Sequence, residues 1–554
     1  MKKKWLLLLL GLMTIFALAA CTANEDAGEE PSDNDGNADA EEDGNTNDEE
    51  DGKVLHLNNG EEPTSFNPSI GFDELSYDPL NNLLEGLTRL DEEGVAQPAT
   101  AEDFDVSDDG LVYTFEIRED ANWSNGDPVV AEDFEYAWKL MLDPELDPPS
   151  PAAFLAYFID GAEEYNSGEG SEDDVAVTAV DDKTLEVELK QPTGFFPDLV
   201  TNPAFFPVNH KVAEDDPDWH AEADTFVANG PFALEEWEHD DEMVFVKNDE
   251  YWDSDVVNLD KVHFAMVNDT NTQYQMFESG EIDTASIPPE LSDELIDGDD
   301  VYIGEQGGLE FYRFNVEEEP FQNENIRKAF AYAIDKDEIA EYVVKNGVEP
   351  ADGFVSPGFV NPDDEDFRDV NGDLITFDVD EAKEYLEKGM EEEGYDELPE
   401  VTLTYNTSDS NKDVAEAMQD MYKENLDIDV TLENQEWEVF SDAQSNLELQ
   451  FSRSSFINDY NDPVNFLESF ITDSEMNRTG WSNDEYDDLI ANGKSETDEE
   501  KRWDYLYEAE ELLEEEMPIM PIRYYNTVVL EADHVSGIVR QSVGYMDLKY
   551  ADVE

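Results

Sequence analysis

The chain has 554 residues, of which 143 are acidic and 30 basic, giving a formal net charge of -113. This balance excludes ordinary nucleic-acid binding, because phosphate recognition needs clustered lysine and arginine. Disorder of the whole chain is excluded too, since 39% of the residues are hydrophobic and 11% aromatic. The length predicts two or three domains with the acid on their surface. Such a surface favours a medium that is salty, alkaline or both, because salt screens the repulsion.

The first twenty residues have the pattern of a lipoprotein signal peptide. Three lysines at 2–4 precede an apolar segment at 5–18, and two alanines then precede Cys21, the single cysteine of the chain. We expect cleavage before Cys21, lipid on that residue, and a body held at the outer face of the cell membrane. An uncleaved anchor helix or a plain secreted protein remains the alternative. One cysteine cannot form a disulfide within its own chain.

Residues 21–52 are predicted to be an acidic disordered tether, since they contain almost no apolar side chain. A first strand is expected at 53–57, and a helical pattern follows Pro79 at 80–86. At 111–117, Tyr113, Phe115 and Ile117 alternate as in a half-buried strand. Asn125-Gly126 indicates a turn. The next helix is expected to bury one face, made of Phe134, Ala137, Trp138 and Met141.

The second half continues the alternation of strands and helices. A helix at about 327–334 is followed by another that begins at Asp335, has Glu338 at capping-box spacing, and ends before Gly347. Near the C-terminus, Thr497 and Glu500 are expected to cap a further helix. Its predicted buried face is Trp503, Leu506, Ala509 and Leu513. Pro518 and Pro521 are expected to bound a strand at 522–525, and the fold class is α/β.

No residue pattern of a known catalytic centre is present. The six histidines are isolated in sequence, and no zinc motif, nucleophile elbow, phosphate loop or dinucleotide-binding glycine run occurs. We therefore predict no enzyme activity, metal or cofactor. The acidic stretch at 363–372 hints at a calcium loop, but Phe367 stands at a ligand position, which favours a solvated loop. Carboxylates are too abundant to identify a glycosidase pair, so a secreted hydrolase stays a remote alternative.

Several sequence runs occur in the order found in one known family. They are 85–87, 109–115, 123–128, 131–134, 229–232, 247–252, 279–283 and 325–329. With these runs the chain resembles the extracellular solute-binding proteins of peptide ABC importers, above all the lipid-anchored oligopeptide-binding members. The resemblance covers residue 53 to the end. It implies a periplasmic-binding-protein-like fold of the class II type, with three lobes and a hinged ligand cleft.

The lobe boundaries follow the family pattern. Lobe I is expected at 53–84, 210–307 and 527–554, lobe II is an insertion at 85–209, and lobe III covers 308–526. The ligand is expected between lobes I and III. The implied partners are an oligopeptide and the membrane permease subunits of an importer, with the binding protein acting as a monomer. A dipeptide, an oligosaccharide, a nickel chelate or haem is the alternative cargo, because one scaffold serves several ligands.

The run at 451–463 resembles the family's peptide-binding segment. By this resemblance Asp459 pairs with the ligand's N-terminal ammonium, and Arg453 helps to hold a ligand carboxylate. Backbone groups of Ser455 and Ile457 would pair with the peptide as an added strand. The side-chain pockets would be lined by Trp437, Phe456 and Tyr525.

Two departures from the family pattern concern the length of the ligand. Asn411 stands where some members have a histidine, and Arg313 stands where an acid is found. Structural roles stay open for several of these residues. Asp459 could cap a turn, Arg453 could belong to an internal ion pair, and Arg313 could neutralise Glu310 and Glu317. Trp437 and Phe456 could be core aromatics.

Overall fold

The computed structural model describes residues 52–554, except residues 93, 297, 473 and 475. The predicted signal peptide, Cys21 and nearly all of the predicted tether lie outside the described residues. The strands of the described part are β1 Val54–Asn58, β2 Thr88–Leu90, β3 Ala96–Pro98, β4 Ala101–Val106, β5 Val112–Ile117, β6 Val177–Asp181, β7 Thr184–Glu188, β8 Phe232–Glu238, β9 Glu242–Lys247, β10 Lys261–Ala265, β11 Thr284–Ser286, β12 Val301–Phe314, β13 Val401–Asn406, β14 Val430–Gln435, β15 Phe451–Ile457, β16 Ile519–Glu531, β17 Val535–Ser536, β18 Val539–Arg540, β19 Met546–Asp547 and β20 Asp552–Val553.

Helices alternate with these strands, so the α/β class is confirmed. They are α1 Glu74–Leu83, α2 Ala131–Met141, α3 Ala162–Asn166, α4 Phe196–Leu199, α5 His210–Asp215, α6 Thr270–Ser279, α7 Ser292–Leu295, α8 Glu324–Tyr332, α9 Lys336–Glu338, α10 Phe367–Asn371, α11 Val379–Glu393, α12 Asp409–Leu426, α13 Trp437–Ser445, α14 Val464–Leu467, α15 Asp484–Ser495 and α16 Glu499–Glu516. A π-helical turn at Ile339–Val344 continues α9.

Three larger sheets organise the fold. One has the order β1-β10-β9-β8 and lies in the residues predicted for lobe I, and another, β4-β5-β7-β6, lies in those of lobe II. The third has six strands in the order β11-β16-β12-β15-β13-β14. Its long strands β12 and β16 pair antiparallel from Val301 opposite Leu530 to Arg313 opposite Ile519. This pair carries the chain across both predicted boundaries between lobes I and III.

Local sequence patterns place several elements correctly. Tyr113, Phe115 and Ile117 are buried on one side of β5, and the four predicted apolar residues of α2 are all buried. Asp335 accepts a hydrogen bond from the Glu338 backbone N–H, which confirms it as the helix cap. In lobe II, the Trp123 indole donates to Asp133 Oδ2 at 2.9 Å, and this bond ties the predicted turn to α2.

Helix α1 differs from the expectation, because it begins at Glu74 and contains Pro79 instead of following it. Asp73 caps its first turn. A proline has no N–H to donate to the carbonyl one turn earlier, that of Leu75. Asn59 replaces the missing donor, since its Nδ2 lies 3.1 Å from the Leu75 oxygen. A side chain from the preceding strand region thus allows the proline inside the helix.

The C-terminal helix was predicted with the wrong cap. Its N-cap is Asp498, whose side chain accepts from the Lys501 backbone N–H, and not Thr497. The predicted apolar face of α16 is confirmed, because its four residues are buried. Of the two prolines, Pro518 directly precedes β16 as predicted, but Pro521 does not bound the strand. Pro521 lies inside β16, at the register irregularity opposite Glu310 and Phe311, where a missing backbone donor is tolerated.

Buried ion pairs join segments that are far apart in the chain. Arg502 is 2% exposed, and its Nη2 lies 2.7 Å from both carboxylate oxygens of Asp462. Arg89 pairs with Asp547 at 2.6 Å, and Arg368 pairs with Glu510 at 2.7 Å. A buried charge that loses its partner is costly. These arginines therefore fix the packing of α16 and of the C-terminal segment.

We predict that Arg502→Leu destabilises the protein by roughly 3–5 kcal/mol, because it leaves the Asp462 carboxylate buried without its cation. Urea unfolding followed by tryptophan fluorescence measures the change. The matched control is Lys501→Leu, which removes the same charge from a side chain that is 59% exposed and paired only with Asp498. This variant should change stability by less than about 1 kcal/mol. Equal losses in both variants would show that only net charge matters.

Candidate functional site

The end of β15 combines a paired edge and a free edge. Strand β15 runs beside β12 from Phe451 opposite Phe314 to Ile457 opposite Gly308, but it pairs with β13 only at residues 451 and 452. The Asn458 backbone N–H donates to the Gly307 carbonyl at 2.9 Å. In an antiparallel ladder the hydrogen-bonded positions alternate, so the backbone groups of Ser455 and Ile457 point to the free edge.

Asp459 follows this strand and is held from two sides. Its backbone N–H donates to Asn465 Oδ1 at 2.7 Å, at the start of α14. Its carbonyl accepts from Asn202 Nδ2 at 2.9 Å, and Asn202 belongs to the residues predicted for lobe II. These two bonds fix the backbone of Asp459 between lobes II and III.

The Asp459 carboxylate is in an environment that disfavours its charge. The pKa of this carboxylate is raised to about 6. Burial is the main cause, the hydrogen bond with Asn465 lowers the pKa, and the nearby Glu468 carboxylate raises it. Among the described residues, no lysine, arginine or histidine forms an ion pair with it. A half-buried carboxylate without a basic partner is suited to receive a cation from a ligand.

Two cavities meet at Asp459 and Ile457, which line both. The II–III pocket has a volume of about 810 Å³ and lies between residues of lobes II and III. The I–III pocket has a volume of about 350 Å³ and is lined by residues of lobes I and III, with Asn202 of lobe II. The ligand space therefore extends beyond the expected position between lobes I and III.

The walls of the II–III pocket are aromatic, with charges among them. Its aromatic residues are Phe154, Tyr157, Phe158, Phe456 and Tyr460. Lys494 pairs with Glu468 at 2.7 Å, and its Nζ lies 5.0 Å from the centre of the Phe158 ring. Lys190 pairs with Glu163 at 2.9 Å. Each lysine is thus paired with a carboxylate of the same pocket. Neither of the two lysines is paired with Asp459.

The structure brings four of the predicted residues together. Asp459, Ser455, Phe456 and Ile457 all line the II–III pocket. Arg453 is buried instead, with Nε 3.4 Å from Glu310 Oε1 and Nη2 3.0 Å from the Tyr525 hydroxyl. The internal ion pair considered for Arg453 is therefore present, and neither Arg453 nor Tyr525 lines the two pockets.

The remaining predicted residues also lie away from these pockets. Trp437 is 61% exposed at the start of α13. The Asn411 side chain is buried and donates to the Asn406 carbonyl. Arg313 is buried and donates to Ser454 Oγ at 3.0 Å and to the Met476 carbonyl at 2.7 Å. It forms no ion pair with Glu310 or Glu317, and burial together with nearby Arg478 lowers its pKa to about 9.

Sequence reasoning missed the contribution of lobe II. Phe154, Tyr157 and Phe158 belong to a 3-10 helix at Ala153–Phe158, and Phe154 remains 46% exposed. An aromatic-rich segment directly after the prolines at 148, 149 and 151 was the available signal. Asn202 and Asn465, which hold Asp459, gave no signal, because single asparagines are common in turns.

Other kinds of site were searched among residues 52–554. Within the described part, no group of three or more His, Cys, Asp or Glu side chains could hold a metal ion. In the acidic stretch at 363–372, Asp366 caps α10, as its carboxylate accepts from the Arg368 N–H at 2.7 Å. None of the described helices is both long and apolar enough to span a bilayer.

Comparison with known proteins gives consistent matches. The model of the bacterial extracellular solute-binding proteins, family 5, matches residues 95–478. The dipeptide-binding protein DppE of Bacillus subtilis is 56% identical over 552 residues, covering 100% of this chain and 99% of that protein.

Two solved structures are similar over the described fold. The unliganded open form of the murein tripeptide-binding protein MppA has a TM-score of 0.80 and 30% identity, covering 91% of this chain and 98% of that one. OppA of Listeria monocytogenes bound to peptide has a TM-score of 0.69 and 31% identity, covering 91% and 99%. The periplasmic-binding-protein-like fold is thereby confirmed. This chain belongs to the bacterial extracellular solute-binding proteins of family 5.

Proposed function

We propose that this protein captures peptides by their free amino end and delivers them to the permease subunits of an ABC importer. One observation carries the proposal: the half-buried Asp459 carboxylate lies at the meeting point of two pockets and has no basic partner among the described residues. A peptide ammonium would supply the missing charge through a charge-assisted hydrogen bond. The free edge of β15 would supply main-chain bonds that do not depend on side-chain identity.

The size of the ligand space supports an oligopeptide. The II–III pocket alone, at about 810 Å³, lies in the upper part of the range of small-molecule sites. The I–III pocket adds a further 350 Å³. A dipeptide is the second candidate, favoured by the name of the Bacillus subtilis relative. Sugars, haem and metal chelates without an ammonium would leave the Asp459 charge buried and unpaired.

The arrangement of the lobes supports capture by closure. The chain is more similar to an unliganded open form than to a peptide-bound relative, with TM-scores of 0.80 and 0.69 at nearly equal identity. An open cleft admits the ligand, and closure of the lobes would then exclude water from it. The proposed working unit is a single copy of the chain.

The first prediction concerns the ammonium contact. Asp459→Asn removes the charge but keeps the shape, so trialanine should bind more than about tenfold more weakly, as expected for loss of one partner of a buried charge pair. Wild type should discriminate strongly between trialanine and N-acetyl-trialanine, and the variant should discriminate little. Isothermal titration calorimetry of both proteins with both peptides measures this.

Asp396→Asn is the matched control, because it makes the same change at an exposed residue of lobe III. It should bind both peptides as wild type does. Equal affinity of wild type for the free and acetylated peptides would remove Asp459 from the site. Failure of wild type to bind any mixture of short peptides, in a thermal-shift screen that includes sugars and metal chelates, would contradict the peptide function itself.

The second prediction is a pH dependence. The ammonium binds the ionised carboxylate, so protons compete with the ligand below the pKa of about 6. Affinity for trialanine should be about tenfold lower at pH 5 than at pH 7, because the ionised fraction falls by that factor. Asp459→Asn should have no such dependence. An unchanged wild-type affinity between these pH values would contradict the assignment.

The raised pKa of Asp459 also affects the stability of the unliganded protein. An acid with a raised folded-state pKa contributes stability below its unfolded pKa, and this contribution is lost as the pH rises through about 6. Asp459→Asn should therefore melt at a higher temperature than wild type at pH 7.5 and at the same temperature near pH 3.5. A gain in stability together with a loss of binding is typical of a residue kept for its ligand.

We also propose that the protein is anchored at the outer face of the membrane by lipid on Cys21. The signal-like sequence before Cys21 supports this, as does the extracellular family. The acidic surface is proposed to suit a salty or alkaline medium. This proposal is supported by the position of the arginines, which are few. Several of them form buried ion pairs, so they do not offset the negative charge of the surface.

The proposed lipid anchor on Cys21 gives a further prediction. Cys21→Ser removes the thiol that would be acylated, so the protein should leave the membrane fraction for the medium or remain unprocessed. Fractionation of expressing cells with mass spectrometry of the mature N-terminus measures both. Cys21→Ser protein that is processed normally and still found with the membrane would contradict lipid anchoring.

A further inference from the structure

The β12–β16 ladder is interrupted at the predicted boundary between lobes I and III. Gln306 and Leu309 face consecutive residues of β16, so Gly307 and Gly308 form a bulge without partners in that strand. Before the bulge β12 pairs only with β16, and after it β12 pairs with both β16 and β15. The bulge therefore lies where a two-stranded ribbon enters the sheet of lobe III, and bulges bend and loosen a ladder.

Gly307 is bonded to both sides of this boundary. Its N–H donates to the Ser542 carbonyl at 2.6 Å, in the C-terminal segment assigned to lobe I. Its carbonyl accepts from the Asn458 N–H at 2.9 Å, one residue before Asp459. These two bonds would transmit a displacement of the two-stranded ribbon to the backbone next to Asp459.

Neither glycine leaves room for a side chain. A Cβ on Gly308 would lie 2.6 Å from the Phe456 carbonyl oxygen, a backbone atom that cannot rotate away. A Cβ on Gly307 would overlap the side-chain amide of Asn458. A larger residue at 308 must push β15 away from β12, and a larger residue at 307 must displace the Asn458 side chain. Glycine is the residue that permits such close approaches.

We propose that Gly307 and Gly308 are positioning residues that couple Asp459 to the movement of lobe I relative to lobe III. The inference rests on the proposed function for its ligand. The bulge provides the bend on which the lobes turn, and the Gly307–Asn458 bond moves residues 456–459 with that bend. Closure then brings the free edge of β15 and the Asp459 carboxylate to the peptide together.

A double-substitution cycle tests the contact itself. Gly307→Ala should weaken trialanine binding more than tenfold, because the new methyl group displaces Asn458. Asn458→Ala removes the atoms that it would meet, so adding Gly307→Ala to that variant should cost less than threefold. Calorimetry of the four proteins gives the coupling. An equal loss in both backgrounds would overturn the proposed contact.

An interlobe distance separates positioning from simple loss of stability. Spin labels at Ser279→Cys on α6 and Asp420→Cys on α12, both exposed, report lobes I and III in a Cys21→Ser background. The unliganded distance distribution should shift in Gly307→Ala and return towards wild type in the double variant. A substitution that only destabilised the fold would lower the melting temperature without changing the distance.

Gly308→Ala and Gly304→Ala form a matched pair in the same strand. Gly304 lies outside the bulge, and a Cβ there would meet the side chain of Tyr302 and no backbone atom. Gly308→Ala should shift the distance and weaken binding more than tenfold, whereas Gly304→Ala should change affinity by less than twofold. Equal effects of the two would overturn the special role of the bulge.

The proposed function and this inference fail differently. If wild type binds none of the short peptides, the proposed function fails, and the unliganded distances alone decide the inference. If wild type binds and closes, but the Gly307 and Gly308 variants have wild-type affinity and distances, the positioning role is overturned while the peptide function stands.

Discussion

The long ladder between β12 and β16 determines where the other parts of the cleft lie. Strand β12 has 14 residues and β16 has 13, and one sheet therefore extends from lobe I into lobe III. On the lobe III side, Glu310 is fully buried between Arg453 of β15 and Arg523 of β16. This triad joins three neighbouring strands, because removing Glu310 would leave both arginines without their carboxylate.

The distribution of charge explains why Asp459 stands out among 143 acids. Buried acids such as Asp462, Glu510 and Asp547 each have an arginine partner at 2.6–2.7 Å. The two lysines that line the II–III pocket have glutamate partners. Glu514 of α16 is buried with neither carboxylate oxygen hydrogen-bonded in the described structure, but it lines neither pocket. Asp459 is half-buried, has no basic partner among the described residues and lines both pockets, so a ligand could bring the missing charge to it.

Patterns set by neighbours in sequence were predictable, and features set by distant contacts were not. The burial of alternate residues in β5 and of one face of α2 follows from periodicity alone. The run at 451–463, which contains Asp459, is predicted by resemblance to the family. In contrast, Pro79 fits inside α1 only because Asn59 donates to the Leu75 carbonyl. The aromatic wall formed by the 3-10 segment depends on that segment facing residues of β15 and α14 across the II–III pocket, which no local spacing encodes.

The I–III pocket indicates why an empty cleft should stay open. Asp73 and Glu74 of lobe I line it together with Asp459 of lobe III, and no basic side chain is among the described residues that line it. Burial already raises the pKa of Glu74 in the present arrangement. Closing the lobes without a ligand would bring these carboxylates into a drier space and increase their repulsion. A ligand ammonium removes part of that cost, so the free energy of closure depends on the presence of a cation between the lobes. Discrimination between the empty and the peptide-loaded protein would thus follow from electrostatics at Asp459, the residue proposed to bind the peptide ammonium.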